Sequence, residues 1–190
     1  MSQYHLNLGA LPLAWLRRRI GRHELVPARR MLQEKIPERF SALRRGGIET
    51  VGDLASALRT RQRVRAFADR TGLPEDYLLW LGREARSYKP SPIALRDLPG
   101  VNSEHVARLE QLGIKTTKAL FDQAACRHER LRLAEEAGLP TDELMRLVEL
   151  SDLARIRGMG KTFVRLFHQS GVEGVAALAN QRAQPRVGRC

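Results

Sequence analysis

Apolar residues recur along this chain at three- and four-residue intervals, as in Phe40 and Leu43 or Val51, Leu54 and Leu58. That spacing predicts amphipathic helices. Pro27, Pro37, Pro74 and Pro140 fall where first helical turns would begin, because proline already holds the helical φ and needs no amide partner there. Thr50, Ser103, Thr116 and Ser151 are placed to cap helix starts. Gly21, Gly47, Gly72, Gly113, Gly138 and Gly171 are placed to end helices. No alternating β-branched pattern lasts more than a few residues, so the predicted fold class is all-α, with short helices and tight turns. Phe163 with Phe167, together with Val164, Phe67, Tyr77 and Trp80, are expected in the core.

The pattern repeats. Leu109–Leu120 recurs 58 residues later as Phe167–Leu178, and 66 residues earlier as Leu43–Leu54. Thr71-Gly72-Leu73-Pro74 and Ala137-Gly138-Leu139-Pro140 keep the same 66-residue offset, so two landmarks share one register. This predicts tandem repeats, two full units and a half unit. The expected organisation is an N-terminal basic amphipathic segment (1–26), a degenerate helical repeat (27–94), a second repeat (95–152) and a final half-repeat (153–180). A basic tail (181–190) is expected to be disordered.

Chemistry concentrates at Gly158-Met159-Gly160-Lys161. Two glycines around one apolar residue suit a tight turn between helices, with positive φ expected at both. The amides that open the following helix, expected to point outward, form a site for phosphate. Lys161, Arg165 and His168 share one face of that helix at i, i+4 and i+7, and Arg155 and Arg157 add charge from the other side of the turn.

Composition narrows the function classes. The net charge is +12, with 28 Arg, 5 Lys and 21 Asp+Glu. Residues 1–95 carry +9, residues 96–152 carry −3 and residues 153–190 carry +6. Such a balance points to polyanions. Arg59, Arg61, Arg63 and Arg65 alternate, so a helix scatters them, and Arg17-Arg18-Arg19 reads as a solvated face beside Trp15. Two cysteines, Cys126 and Cys190, build no disulfide framework, and a cytoplasmic location is expected. No membrane span or signal peptide is expected, since no apolar run is long enough and Leu11–Arg22 has no cleavage site. Cys126 and His128 lack a second ligand pair, so neither a metal nor any other cofactor is expected.

Leu98-Pro99-Gly100-Val101-Asn102 through Gly113-Ile114, and Ile156–Lys161 through Gly171-Val172, resemble helix-hairpin-helix motifs. With Pro27–Arg30, Thr71–Pro74, Lys115–Thr117 and Leu153–Ile156, the chain over roughly residues 25–180 is similar to a bacterial family, domain of unknown function 4332, built of such repeats. The resemblance implies the fold and DNA binding, and no reaction. It places Gly158, Gly160, Lys161 and Arg165 at the phosphate. In the second hairpin Gly100 matches, but Asn102 stands for the other glycine, in left-handed geometry if the turn is the same, and Ser103 and Glu104 replace the polar start. In the first hairpin Glu34 and Ile36 take the glycine positions.

Helix-hairpin-helix glycosylases carry an aspartate about twenty residues beyond the hairpin, whereas this chain has none after Asp152, and Asp122 lies in an ordinary helical context. With no catalytic grouping, the expectation is a non-enzyme. It contacts the backbone of double-stranded DNA without sequence specificity through Gly158, Gly160, Lys161, Arg165, Arg157, Arg155 and Gly100. RNA offers the same phosphate chemistry. The competing expectation is a helical-repeat scaffold for a protein partner, its basic charge incidental.

Overall fold

The computed structural model describes residues 3–22 and 27–171. Ten α-helices and three 3-10 turns account for them. Among the described residues there is no β-strand, only two isolated bridges, so the fold is all-α as the periodicity predicts. None of these helices is long and apolar enough to cross a membrane. The chain divides into two compact units, Leu6–Lys89 and a second made of Pro90–Cys190 with Met1–His5.

In the first unit, α1 (Leu13–Arg22), α2 (Ile36–Arg45), α3 (Val51–Ala57), α4 (Arg61–Thr71) and α5 (Glu75–Arg86) surround one core. Leu13, Leu16 and Ile20 of α1 are at most 1% exposed within that core. Residues 6–22 are therefore part of the first unit, which corrects their reading as a separate basic segment. The apolar stripe at i, i+3 and i+7 outweighs the four arginines of the same helix. Arg29 of a 3-10 turn pairs with Glu84, a carboxylate only 2% exposed, at 2.9 Å.

The second unit holds α6 (Ser103–Gln111), α7 (Thr117–Gln123), α8 (Arg127–Ala137), α9 (Thr141–Ala154) and α10 (Lys161–Gln169). Its boundary lies at residue 90, five residues before the expected start at residue 95.

Local bonding recurs between the units. The Ile48 amide donates to Leu43 C=O and the Gly47 amide to Arg44 C=O, closing α2; Ile114 with Leu109 and Gly113 with Glu110 close α6 in the same way. Both are the paired terminal bonds of a glycine-ended helix. Gly171 also has positive φ (77°) and donates to His168 C=O at the end of α10. Thr50 then caps α3 and Thr116 caps α7, each accepting from the amide three residues on. Two expected caps are corrected. Asn102, not Ser103, caps α6, and Ser151 lies buried inside α9 with its hydroxyl donating to Leu147 C=O at 2.8 Å.

Thr117 anchors the start of the second unit. Its fully buried Oγ1 accepts from the Ile93 amide at 3.0 Å and is hydrogen-bonded to the Tyr4 hydroxyl at 2.7 Å. Thr117→Val keeps the shape and strands both groups. It is expected to cost about 1–3 kcal/mol for each buried group left unpaired, read by urea unfolding. An unchanged midpoint would show that water replaces the hydroxyl.

Candidate nucleic-acid interface

The turn 155–160 joins α9 to α10. Gly158 sits at φ 86°, where a side chain is strained, but Gly160 has φ −81° and ψ 177°, ordinary extended backbone. The expectation of positive φ at both glycines is thus corrected to one. The turn before α6 has a similar backbone: Gly100 has φ 63°, while Asn102 has φ −78° and accepts the Glu104 amide at 2.8 Å. Asn102 is a helix cap, not a left-handed residue. Gly160→Asn should therefore add a cap and stabilise by a few tenths of a kcal/mol. Gly158→Ala should cost roughly 1–2 kcal/mol from its left-handed backbone. Thermal melts of the two variants should move in opposite directions.

The turn also uses amides of its own. Met159 N–H donates to Ile156 C=O and Gly160 N–H to Gly158 C=O, both at 3.0 Å. These two are not available to a ligand, which corrects the expectation of outward amides throughout 158–161. The open positions begin at Lys161, where α10 starts with no side-chain cap. Both glycines of the turn are exposed, and a Cβ at either would meet nothing within 4 Å.

The expected cations differ in availability. Lys161 keeps 62% of its side chain exposed, but its Nζ lies 2.5 Å from Asp97 Oδ2. That contact holds the Asp97 carboxyl below the usual carboxylate range. The tie stabilises α10 above the ordinary aspartate range and is lost as pH falls through the lowered value. Arg165 is exposed and, among the described residues, makes no ion pair or hydrogen bond. Arg155 is half-buried, pairs with Asp152 and lies 5.0 Å over the Phe121 ring. Its guanidinium is engaged in packing within the unit. Arg157 is half-buried in the turn.

Beside Gly100, Arg146 Nη2 and His168 Nε2 stand 3.2 Å apart, and a Cβ on Gly100 would lie 2.4 Å and 2.8 Å from them. His168 therefore faces the second turn, and Lys161 reaches Asp97 just before that turn. Two of the three residues expected to present one open cationic face are applied to the unit's own chain. Arg146 carried no sequence signal for this role, being far from Gly100 along the chain.

The apolar side of α10 is rotated from expectation. Val164 is fully buried and Phe167 half-buried, but Phe163 and Leu166 are each 53% exposed, so Phe163 is not core. The 58- and 66-residue sequence offsets carried this signal: Phe163 aligns with His105 and Arg39, while Val164 aligns with Val106 and Phe40, each 3% exposed. Among the described residues no group of three or more His, Cys, Asp or Glu side chains could hold a metal.

Residues 99–187 match the model of a family described as a domain of unknown function (DUF4332). No curated protein and no solved structure matches the chain.

Proposed function

We propose that this chain is a non-enzymatic, cytoplasmic nucleic-acid-binding protein. It holds the phosphate backbone of double-stranded DNA without reading sequence, through a helix-hairpin-helix formed by α9, the turn and α10. One observation carries the reading. The Gly158–Gly160 turn is open and α10 begins uncapped, with exposed Lys161 and Arg165 along its first turns. Free amides at the positive end of a helix and two exposed cations are complementary to a phosphodiester. The Gly100 turn, with Arg146 and His168 lying beside it, is left as a packing element.

The test is binding of the full chain to two labelled duplexes of unrelated sequence across a salt series. A steep loss of affinity with salt, alike for both duplexes, supports the reading. Flat salt dependence, or none bound, overturns it. Asp97→Asn should strengthen binding, because it releases Lys161 from its carboxylate. Anisotropy titration reads that gain, and a weaker complex would show that Asp97 instead holds α10 in a competent position.

A second reading rests on Phe163 and Leu166, whose exposed rings and methyls on α10 suit a protein partner better than phosphate. Under it the chain is a helical scaffold.

A further inference from the structure

The first unit carries far more uncompensated charge than the hairpin. Residues 6–89 hold 18 Lys+Arg against 9 Asp+Glu. Many of these arginines are structural. Arg29 pairs with Glu84 and Arg39 with Glu34, while Arg70 donates to Gly46 C=O and Arg86 to Leu58 C=O. A different set on α1 and α2 is not used in this way. Arg17, Arg18, Arg22 and Arg44 are all exposed, and among the described residues none has an ion-pair or hydrogen-bond partner. Arg22 and Arg44 lie in last helical turns, where the helix dipole favours a cation, but Arg17 and Arg18 do not have that support. Arg18 and Arg22 stand at i, i+4, a like-charge spacing that weakens a helix unless an anion offsets it.

These side chains border concave surface. A groove of about 230 Å³ runs between α1 and α2, with Arg17, Arg44 and Ser41 presenting polar groups over Leu13, Pro37 and Phe40. On the other flank of α1, Trp15, Arg18, Arg19 and Arg22 line a second hollow of about 240 Å³. Each is smaller than the roughly 300–1,000 Å³ of small-molecule sites, so neither encloses a whole cofactor. Each is suited to one phosphate and its sugar along a polymer that crosses the helix.

We infer that the outer face of α1 with the end of α2 is a second nucleic-acid-backbone contact surface, centred on Arg17, Arg18, Arg22 and Arg44. The inference rests on the reading of the protein as a nucleic-acid binder and extends it to the other unit. An anionic membrane shares the charge requirement but not the rest. Membrane-surface helices bury an apolar face in the lipid. Here that face, Leu13, Leu16 and Ile20, is already committed to the core, and Trp15 lies edge-on to Tyr88 at 5.0 Å between ring centres. A phosphodiester needs only the guanidinium groups, which match it in fixed fork geometry.

The experiment uses the full chain and a labelled DNA duplex, with Arg17→Gln/Arg44→Gln, Arg18→Gln/Arg22→Gln and Lys161→Ala/Arg165→Ala compared by salt titration. Thermal melts confirm folding of each variant; a pair that does not fold is replaced by its two single substitutions, which carry the same test. Each α1–α2 pair is expected to reduce the salt slope by about 0.9 per lost contact, near 1.8 for two. Loss in these pairs with the α10 pair unchanged sustains the inference and overturns the hairpin reading. Loss in the α10 pair alone overturns the inference and leaves the hairpin reading standing. A wild-type chain that binds no duplex overturns both. Binding to phosphatidylserine vesicles, abolished by the α1–α2 changes while duplex binding stays intact, reassigns the surface to membrane and overturns it.

Discussion

Leu16→Ala is expected to destabilise the first unit by about 2–5 kcal/mol, the usual range for emptying a leucine site in a packed core. Leu16 is fully buried, between Leu13 and Ile20 on the inner stripe of α1, and belongs to a cluster with Leu43, Leu54, Tyr77 and Leu81. The neighbouring Arg18→Ala removes an exposed side chain and should leave the urea midpoint almost unchanged. If both variants unfold together at the wild-type midpoint, α1 is not part of the cooperative unit and residues 6–22 are dispensable. The contrast measures what the charge of α1 conceals: the helix is held by Leu13, Leu16 and Ile20, while among the described residues Arg17, Arg18 and Arg22 make no ion pair or hydrogen bond.

That concealment marks the limit of what the chain discloses. Features set by neighbours in sequence were legible. Thr50 and Thr116 cap helices because a threonine oxygen accepts an amide three residues on, and Gly47, Gly113 and Gly171 end helices with positive φ. The turn at 158–160 was legible for the same reason, though only Gly158 needs its glycine. Contacts distant in sequence were not. Nothing in the spacing of Lys161 indicates that Asp97 lies within 2.5 Å of it, or that Arg146 and His168 lie where a Cβ on Gly100 would go. These pairings depend on how α9 and α10 lie against residues 97–100, which no local pattern encodes. Helix rotation fell between the two cases. Phe163 and Phe167 at i, i+4 read as one buried face, but Val164 with Phe167 took the core and left Phe163 outside. The heavier aromatic was the misleading cue and the sequence offset the better one.

Replacing Lys161 and Arg165 together with alanine is expected to weaken duplex binding and to flatten its salt slope. The two cations are not equal. Arg165 is exposed and uncommitted, so its loss removes a full contact, near 0.9 in slope. Lys161 shares its charge with Asp97, so the slope change of the double variant should fall between about 0.9 and 1.8. Folding should survive, because the buried anchor of α10 is Val164, supported by Phe167, and neither cation is in the core. The matched change in the second hairpin, Ser103→Ala with Glu104→Ala, touches two exposed residues and leaves the Asn102 cap intact. It should not weaken binding, and the loss of one negative charge should strengthen it slightly. Equal loss from both double variants would mean that the hairpins act alike, and no loss from the first would mean that the open Gly158–Gly160 turn is a packing device. In either case the polyanion would have to be held elsewhere, and the exposed Phe163 and Leu166 would then argue for a protein surface on α10.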